Sequence, residues 1–463
     1  MSAMSKPLTS PLRQSNINIR LAARQSITGS ILRLGLPILI GQLGQIVVGF
    51  ADTTMVGHYS TTALASASFV NNLFNVAVFA SLGFAYGLTP LVGALFGRGE
   101  RQRIGSLVRS ATVVNIAFAL LLTAIMATLY LNLDRLGQPR ELLPVIRPYF
   151  LIVLAGMVPL TLFNLFAQWS YAIGRTRMPM WIILSCNLLN ILGNYLLIYG
   201  NFHCPELGLN GAGISTLVAR TLSAAIIMAI FFGARQFRTY SRGFIHGRTS
   251  WQSMRHVAVT SVPVSLQMTF ESGSFTMAAV MAGWIGAVQL AAFQVVVIIG
   301  TLGFCVYYSI AAAVSVLVSN AAGVDNRPLM RRTAFAGYRI MLVLAAAASL
   351  FFIFGGREFM PLFTDDPKVM AAALSVIVPL VLYQFGDATQ ITFANALRGT
   401  ANVMPMLWIS FVSYVIIGIP ATYILGFPLA MGLYGIILSF SVSLFIAAAL
   451  FLYFFLRTTR IPK

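Results

Sequence analysis

Between residues 33 and 456 the chain is a succession of long apolar runs, and this limits its folds more than any other feature. A helix crossing the hydrocarbon core of a bilayer needs about 20 mostly apolar residues. Runs of that length, separated by Gly, Pro and charged residues, fall at 33–58, 66–96, 105–130, 145–172, 179–200 and 211–233. They recur at 256–284, 289–322, 333–355, 369–396, 405–426 and 430–456. Strands of a membrane barrel would alternate in hydropathy over roughly ten residues, and these runs are too long and too evenly apolar for that. In lipid the backbone polar groups have to be satisfied within the segment, as a helix does. The expectation is an all-α integral membrane protein with twelve transmembrane helices. Composition removes the alternatives. With 58% hydrophobic and 9% charged residues, the chain lacks the ionised surface of a soluble protein and is too apolar for disorder. Its net charge of +19 is spread between the runs along the sequence, so no nucleic-acid partner is expected.

Charge placement sets the direction. If the N-terminus is cytoplasmic, the inner segments carry 23 Lys and Arg, including Arg98, Arg175, Arg242 and Arg398, and the outer ones five. Positive residues stay inside, so both termini are expected in the cytoplasm. Residues 1–30 lack a short apolar segment followed by a cleavage site and read as a retained tail. Cys186 and Cys305 fall inside runs and Cys204 in a loop, a pattern that implies neither a disulfide framework nor a metal cluster.

The two sets of six runs are alike. At one constant offset Pro37 matches Pro263, Met55 matches Met281, Gly57 matches Gly283, and Met178-Pro179-Met180 matches Met404-Pro405-Met406. Six spans return the chain to the side where it started, so the two sets keep the same orientation. That is the parallel-repeat plan of transporters, with a substrate cavity between two lobes and alternating access by rocking. The expected division is an N-lobe over 31–233, a basic cytoplasmic linker over 234–255, a C-lobe over 256–456 and a tail over 457–463.

Eight of the eleven acidic residues fall in loops. Asp52, Glu271 and Asp387 fall within spans, where a carboxylate costs on the order of 2.5–3.5 kcal/mol by insertion scales and marks an ion or substrate pathway. Tyr383 lies one turn before Asp387, and Gln267 one turn before Glu271, on the same helix faces. Asn187, Asn190 and Asn194 form a polar stripe along their helix, serving either an ion site or helix association. Arg220 is a further charge within a span, read as structural. P-loop, HExxH, GxSxG and DDxxD motifs are missing. No enzyme and no cofactor are therefore expected, and uphill transport would draw on an ion gradient. Anionic walls around the cavity would favour organic cations. A lipid-linked oligosaccharide flippase needs cationic groups in the cavity, for which Arg220 is the candidate; a channel or receptor is the third alternative.

The set Phe50-Ala51-Asp52-Thr53, Phe270-Glu271 and Tyr383-Gln384-Phe385-Gly386-Asp387 resembles the multidrug and toxic compound extrusion (MATE) family, its NorM-type branch above all. So does Leu189-Asn190-Ile191-Leu192-Gly193-Asn194-Tyr195 followed by Pro205-Glu206-Leu207-Gly208. The resemblance covers nearly all of the chain after residue 30. It implies a V-shaped, monomeric exporter of the bacterial inner membrane that exchanges organic cations for Na⁺ or H⁺. Glu271, Asp387 and Tyr383 fall where that branch carries its C-lobe cation site, with Na⁺ as the metal ion it would hold. Asp52, Asn190, Asn194 and Thr216 fall where MATE proteins carry an N-lobe site. Archaeal relatives have a further acid where this chain has Asn194.

Overall fold

Ser26 opens the first helix, its hydroxyl accepting a hydrogen bond from the Gly29 N–H at 3.0 Å, which satisfies one of the free donors of the first turn. The computed structural model describes residues 26–460 apart from 136–138, 140, 363 and 365. Lys6, Arg13, Arg20, Arg24, Arg140, Asp365 and Lys463, and with them most of the expected N-terminal tail and the last three residues of the C-terminal one, lie outside the described residues.

The described residues are helical throughout, with no strand. The first group of helices is α1 (Ile27–Tyr59), α2 (Thr61–Tyr86), α3 (Leu88–Gly97), α4 (Arg101–Leu131), α5 (Leu143–Ala155), α6 (Met157–Ala172), α7 (Arg177–Tyr199) and α8 (Leu209–Gly233). After the short α9 (Arg238–His246) come α10 (Trp251–Ile285), α11 (Ala287–Gly323), α12 (Arg327–Phe359), α13 (Pro367–Ser375) and α14 (Ile377–Gly399). The series closes with α15 (Met404–Ser410), a π-helical segment over Phe411–Gly418, α16 (Ile419–Gly426) and α17 (Gly432–Thr458).

Three expected spans are broken, each four residues before a proline, whereas Pro37, Pro148 and Pro263 lie inside continuous helices. Proline lacks an N–H and its ring clashes with the carbonyl four residues back. Counting back four from Pro90, Pro159 and Pro379 gives Tyr86, Ala155 and Ser375, the last residues of α2, α5 and α13. The last break bends α13 against α14 by 51°. Ten of the helices or continuous helix pairs are long and apolar enough to cross a membrane, eleven with that bent pair. The run 256–284 is not among them. It forms the 35-residue α10, whose Gln267, Glu271 and many Ser and Thr lower its hydropathy. The expected linker 234–255 is not simple loop either, since it contains α9 and the first turn of α10.

Buried side chains gather in four clusters. Two come from residues 56–257 and one from 278–440. The fourth joins Ile31 and Tyr86 to side chains between Val264 and Phe455. Contact between early and late helices runs through α2 on α10, α3 on α11 and α1 on α11. It is tightest toward the end that carries residues 98–100 and 324–326. There the backbones meet: a Cβ added at Gly87, Gly93 or Gly97 would overlap Ser261, Ser319 or Asn320. The Arg98 Nε donates to the Gly323 carbonyl at 2.8 Å, and the Ser265 hydroxyl to the Ala80 carbonyl at 2.8 Å. Farther along the same helices Gly49, Gly273 and Gly300 face open space.

Candidate functional site

Among the described residues the polar interior includes two separate carboxylate sites and a cavity. The first site forms where α1 packs on α7 and α7 on α8. Asn190 and Asn194 are one turn apart on one face of α7 and both are buried. The Asn194 amide donates to Asp52 Oδ1. With its amide assigned so that both ends are satisfied, Asn190 donates to the same oxygen at 2.9 Å and accepts from the Thr216 hydroxyl and N–H at 3.1 Å. The Ser215 hydroxyl donates to the Asn190 carbonyl at 2.8 Å, an approach that Gly193 permits by lacking a side chain. Asp52, Asn190, Asn194 and Thr216 thus form one hydrogen-bonded chain across three helices.

Arg220 lies one turn beyond Thr216, against Gly156 at the α5–α6 break. Its charge is within electrostatic range of Asp52 and the Tyr149 hydroxyl, but it makes no ion pair among the described residues. Tyr149 in turn donates to Asn71 at 3.4 Å.

The second site joins α10, α11, α14 and the π-helical segment. Asp387 is 2% exposed and Glu271 partly buried. Their charges act on one another, and the Tyr383 and Tyr414 hydroxyls lie within range of both. Tyr307, within range of Asp387, donates its hydroxyl proton to Gln384 Oε1 at 2.7 Å. The buried Tyr414 hydroxyl has no hydrogen-bond partner among the described residues. Two neighbouring carboxylates in a low-dielectric interior repel unless a cation or a proton comes between them. Among the described residues no three His, Cys, Asp or Glu side chains cluster. The oxygens gathered here, carboxylate and phenol, suit a hard monovalent cation or a proton.

A cavity of about 90 Å³, room for several waters, is lined by side chains of α1, α2, α6, α7, α10 and α11. Its polar lining is neutral, with Gln42, Gln45, Asn164, Gln168, Tyr86 and Tyr308 at the wall. The expected acidic cavity wall is not what the structure has here. Asp52 turns toward α7 and α8, and neither Glu271 nor Asp387 is among the side chains lining this cavity. Arg398, placed by sequence in a basic loop segment, is 3% exposed. Its guanidinium lies 5.4 Å from the centre of the Tyr86 ring, which stacks on Tyr308 at 5.3 Å. Sequence reasoning did not single out Tyr307, Tyr414, Gln384 or the glutamines of the cavity. The one signal for them is a polar or phenolic group within an apolar run, and too many residues share it.

Comparison with known proteins follows the same division of the chain. The MatE family model matches residues 37–196 and matches again over residues 263–424. The two matches begin at Pro37 and Pro263, the first pair aligned by the internal repeat. The chain is 29% identical over 430 residues to the "Probable multidrug resistance protein NorM" of Geobacillus kaustophilus (strain HTA426), covering 92% of this chain and 94% of that one. It is 29% identical over 428 residues to the protein of the same name from Bradyrhizobium diazoefficiens, covering 90% and 91%. Among solved structures, the outward-facing conformation of a multidrug resistance MATE family transporter of the MOP superfamily superposes with a TM-score of 0.84 over 95% of this chain and 98% of that one. At 19% identity that likeness concerns the fold.

Proposed function

This chain belongs to the MatE family, and from that premise we propose that it is an antiporter exporting organic cations, drugs among them, in exchange for Na⁺ or H⁺. Members of the family are transporters and not enzymes, and the chain is a multi-pass membrane protein of that kind. The proposal has it cross the bacterial inner membrane twelve times as a monomer, with both termini cytoplasmic. The N-lobe spans 31–233 and the C-lobe 256–456.

The observation that carries the coupling is the Glu271–Asp387 pair beside Tyr383, Tyr307 and Tyr414, which makes no ion pair among the described residues and has Arg398 only at electrostatic range of Glu271. Such a pair takes up a cation or a proton readily, and an organic cation competes for the same charge. Asp52, held by Asn190, Asn194 and Thr216, is the second ion-handling group. The substrate would pass by way of the neutral cavity, whose wall carries the amides of Gln42, Gln45, Asn164 and Gln168 beside Phe79 and Phe163. Closure at the basic end and open space at Gly49, Gly273 and Gly300 correspond to the outward-open half of an alternating-access cycle. The flippase reading is less well supported, because neither Arg220 nor Arg398 is among the side chains lining the cavity.

The test uses proteoliposomes. Wild-type protein should export a fluorescent organic cation under an imposed Na⁺ or H⁺ gradient. Glu271→Gln and Asp387→Asn should each reduce gradient-driven export at least tenfold while leaving folded protein in the membrane. Wild-type export by both variants would remove this site from the mechanism, and current without uphill movement would mean a channel.

A further inference from the structure

The segment joining α8 to α10 contains a firmly seated helix with an unpartnered charged face. α9 buries Tyr240, Ser241 and Gly243 and lies on α4. A side chain at Gly105 or Gly243 would overlap the other helix's backbone, so the two helices touch main chain to main chain. The Ser106 hydroxyl donates to the Gly243 carbonyl at 3.1 Å. Arg109 Nη1 donates to the carbonyls of Phe244, Ile245 and Gly247 at 3.3, 3.1 and 2.7 Å, capping the negative C-terminal end of α9. The orientation of the helix is therefore set.

What it turns outward is cationic. Arg238, Arg242 and His246 follow one another at single-turn spacing, and all are exposed. Arg101, at the start of α4, and Arg175, just before α7, are exposed too and lie within electrostatic range of Tyr240. Cations from three separate segments thus meet at one corner. None of these arginines makes an ion pair among the described residues. The nearby Glu100 is taken by Arg103 at 2.5 Å, and the sequence from Leu207 to Phe270 holds no Asp or Glu. Like charges one turn apart disfavour a helix, so the face lacks its counter-charge. Beside the arginines stand two exposed apolar side chains, Ile245 at 57% and Trp251 at 76%. α9 begins just past the end of α8, which is apolar and long enough to cross a membrane, and so lies at headgroup depth.

We propose that α9, with Arg101 and Arg175, is a docking site for anionic phospholipid headgroups. The arginines take the phosphates, and Ile245 and Trp251 enter the acyl boundary. A nucleic acid or an acidic protein would answer the charge but would leave the two apolar side chains in water.

Brominated lipids in nanodiscs test this, with Trp251→Phe isolating the Trp251 signal. Brominated phosphatidylglycerol should quench Trp251 more than brominated phosphatidylcholine at equal mole fraction, and high salt should shrink the excess. Each arginine near an anionic surface is worth on the order of fivefold in affinity. Arg238→Gln with Arg242→Gln should therefore cut the preference about thirtyfold. Arg101→Gln with Arg175→Gln, which leaves α9 intact, should cut it similarly, and Arg357→Gln should not. Equal quenching by the two lipids overturns the proposal, as does a preference that survives both double variants. Binding of an oligonucleotide or poly-glutamate to neutral-lipid discs, lost in the same variants and not displaced by phosphatidylglycerol, also overturns it.

Discussion

Asp52 poses the sharpest question about a single residue. Two buried amides donate to one of its oxygens, an arrangement that suits a carboxylate tying α1 to α7 as well as one that loads and releases an ion. Asp52→Asn separates the two, because the amide keeps the shape and most of the hydrogen bonding. If Asp52 handles the coupling ion, the variant binds drug normally while its export no longer follows the imposed gradient. Export that tracks the gradient at the wild-type rate would make Asp52 a strut. The three intramembrane acids and the Asn190–Asn194 spacing were readable in the sequence, because a polar group in an apolar run stands out and helical periodicity is local. Tyr307 and Tyr414 were not, since a buried phenol acquires a role only from what another helix places against it.

At the scale of elements, prolines accompany the three helix breaks, and glycine placement explains where helices meet. The α4–α9 contact offers a direct check. Gly105→Val inserts an isopropyl group into a backbone-to-backbone contact, and overpacking of this kind costs about 1–3 kcal/mol. With its seat removed, α9 should detach locally, and trypsin should cut at Arg238 and Arg242 at least several-fold faster while the neighbouring helices stay intact. Unchanged cleavage would mean that the contact does not hold α9. The sequence showed a basic linker here but not its helix, which is short, carries Gly243 in its interior and is stabilised almost wholly by packing.

For the whole molecule, closure at one end rests on small residues shared by α2, α3, α10 and α11. Gly97→Leu should force α3 off Asn320 and loosen that end. In a cysteine-free background, Ser261→Cys should react slowly with a maleimide, because Ser261 is fully buried against Gly87. Adding Gly97→Leu should speed the labelling about tenfold or more. The same rate in both backgrounds would show that this contact does not control closure.

Hydropathy, proline and charge bias are properties of short windows, which is why the sequence alone determined the helical membrane class, the approximate limits of the helices and the family resemblance. The internal repeat was legible for the same reason, as a comparison of one window with another. Convergence is different, because it depends on how each helix is rotated and tilted against its neighbours. Only the tertiary structure put Arg398 under Tyr86, lined the cavity beside Tyr86 with neutral groups, turned Asp52 toward α7, and gathered Arg101, Arg175, Arg238 and Arg242 at one corner. No single segment encodes these meetings, since each is decided by side chains that several helices bring to the same place.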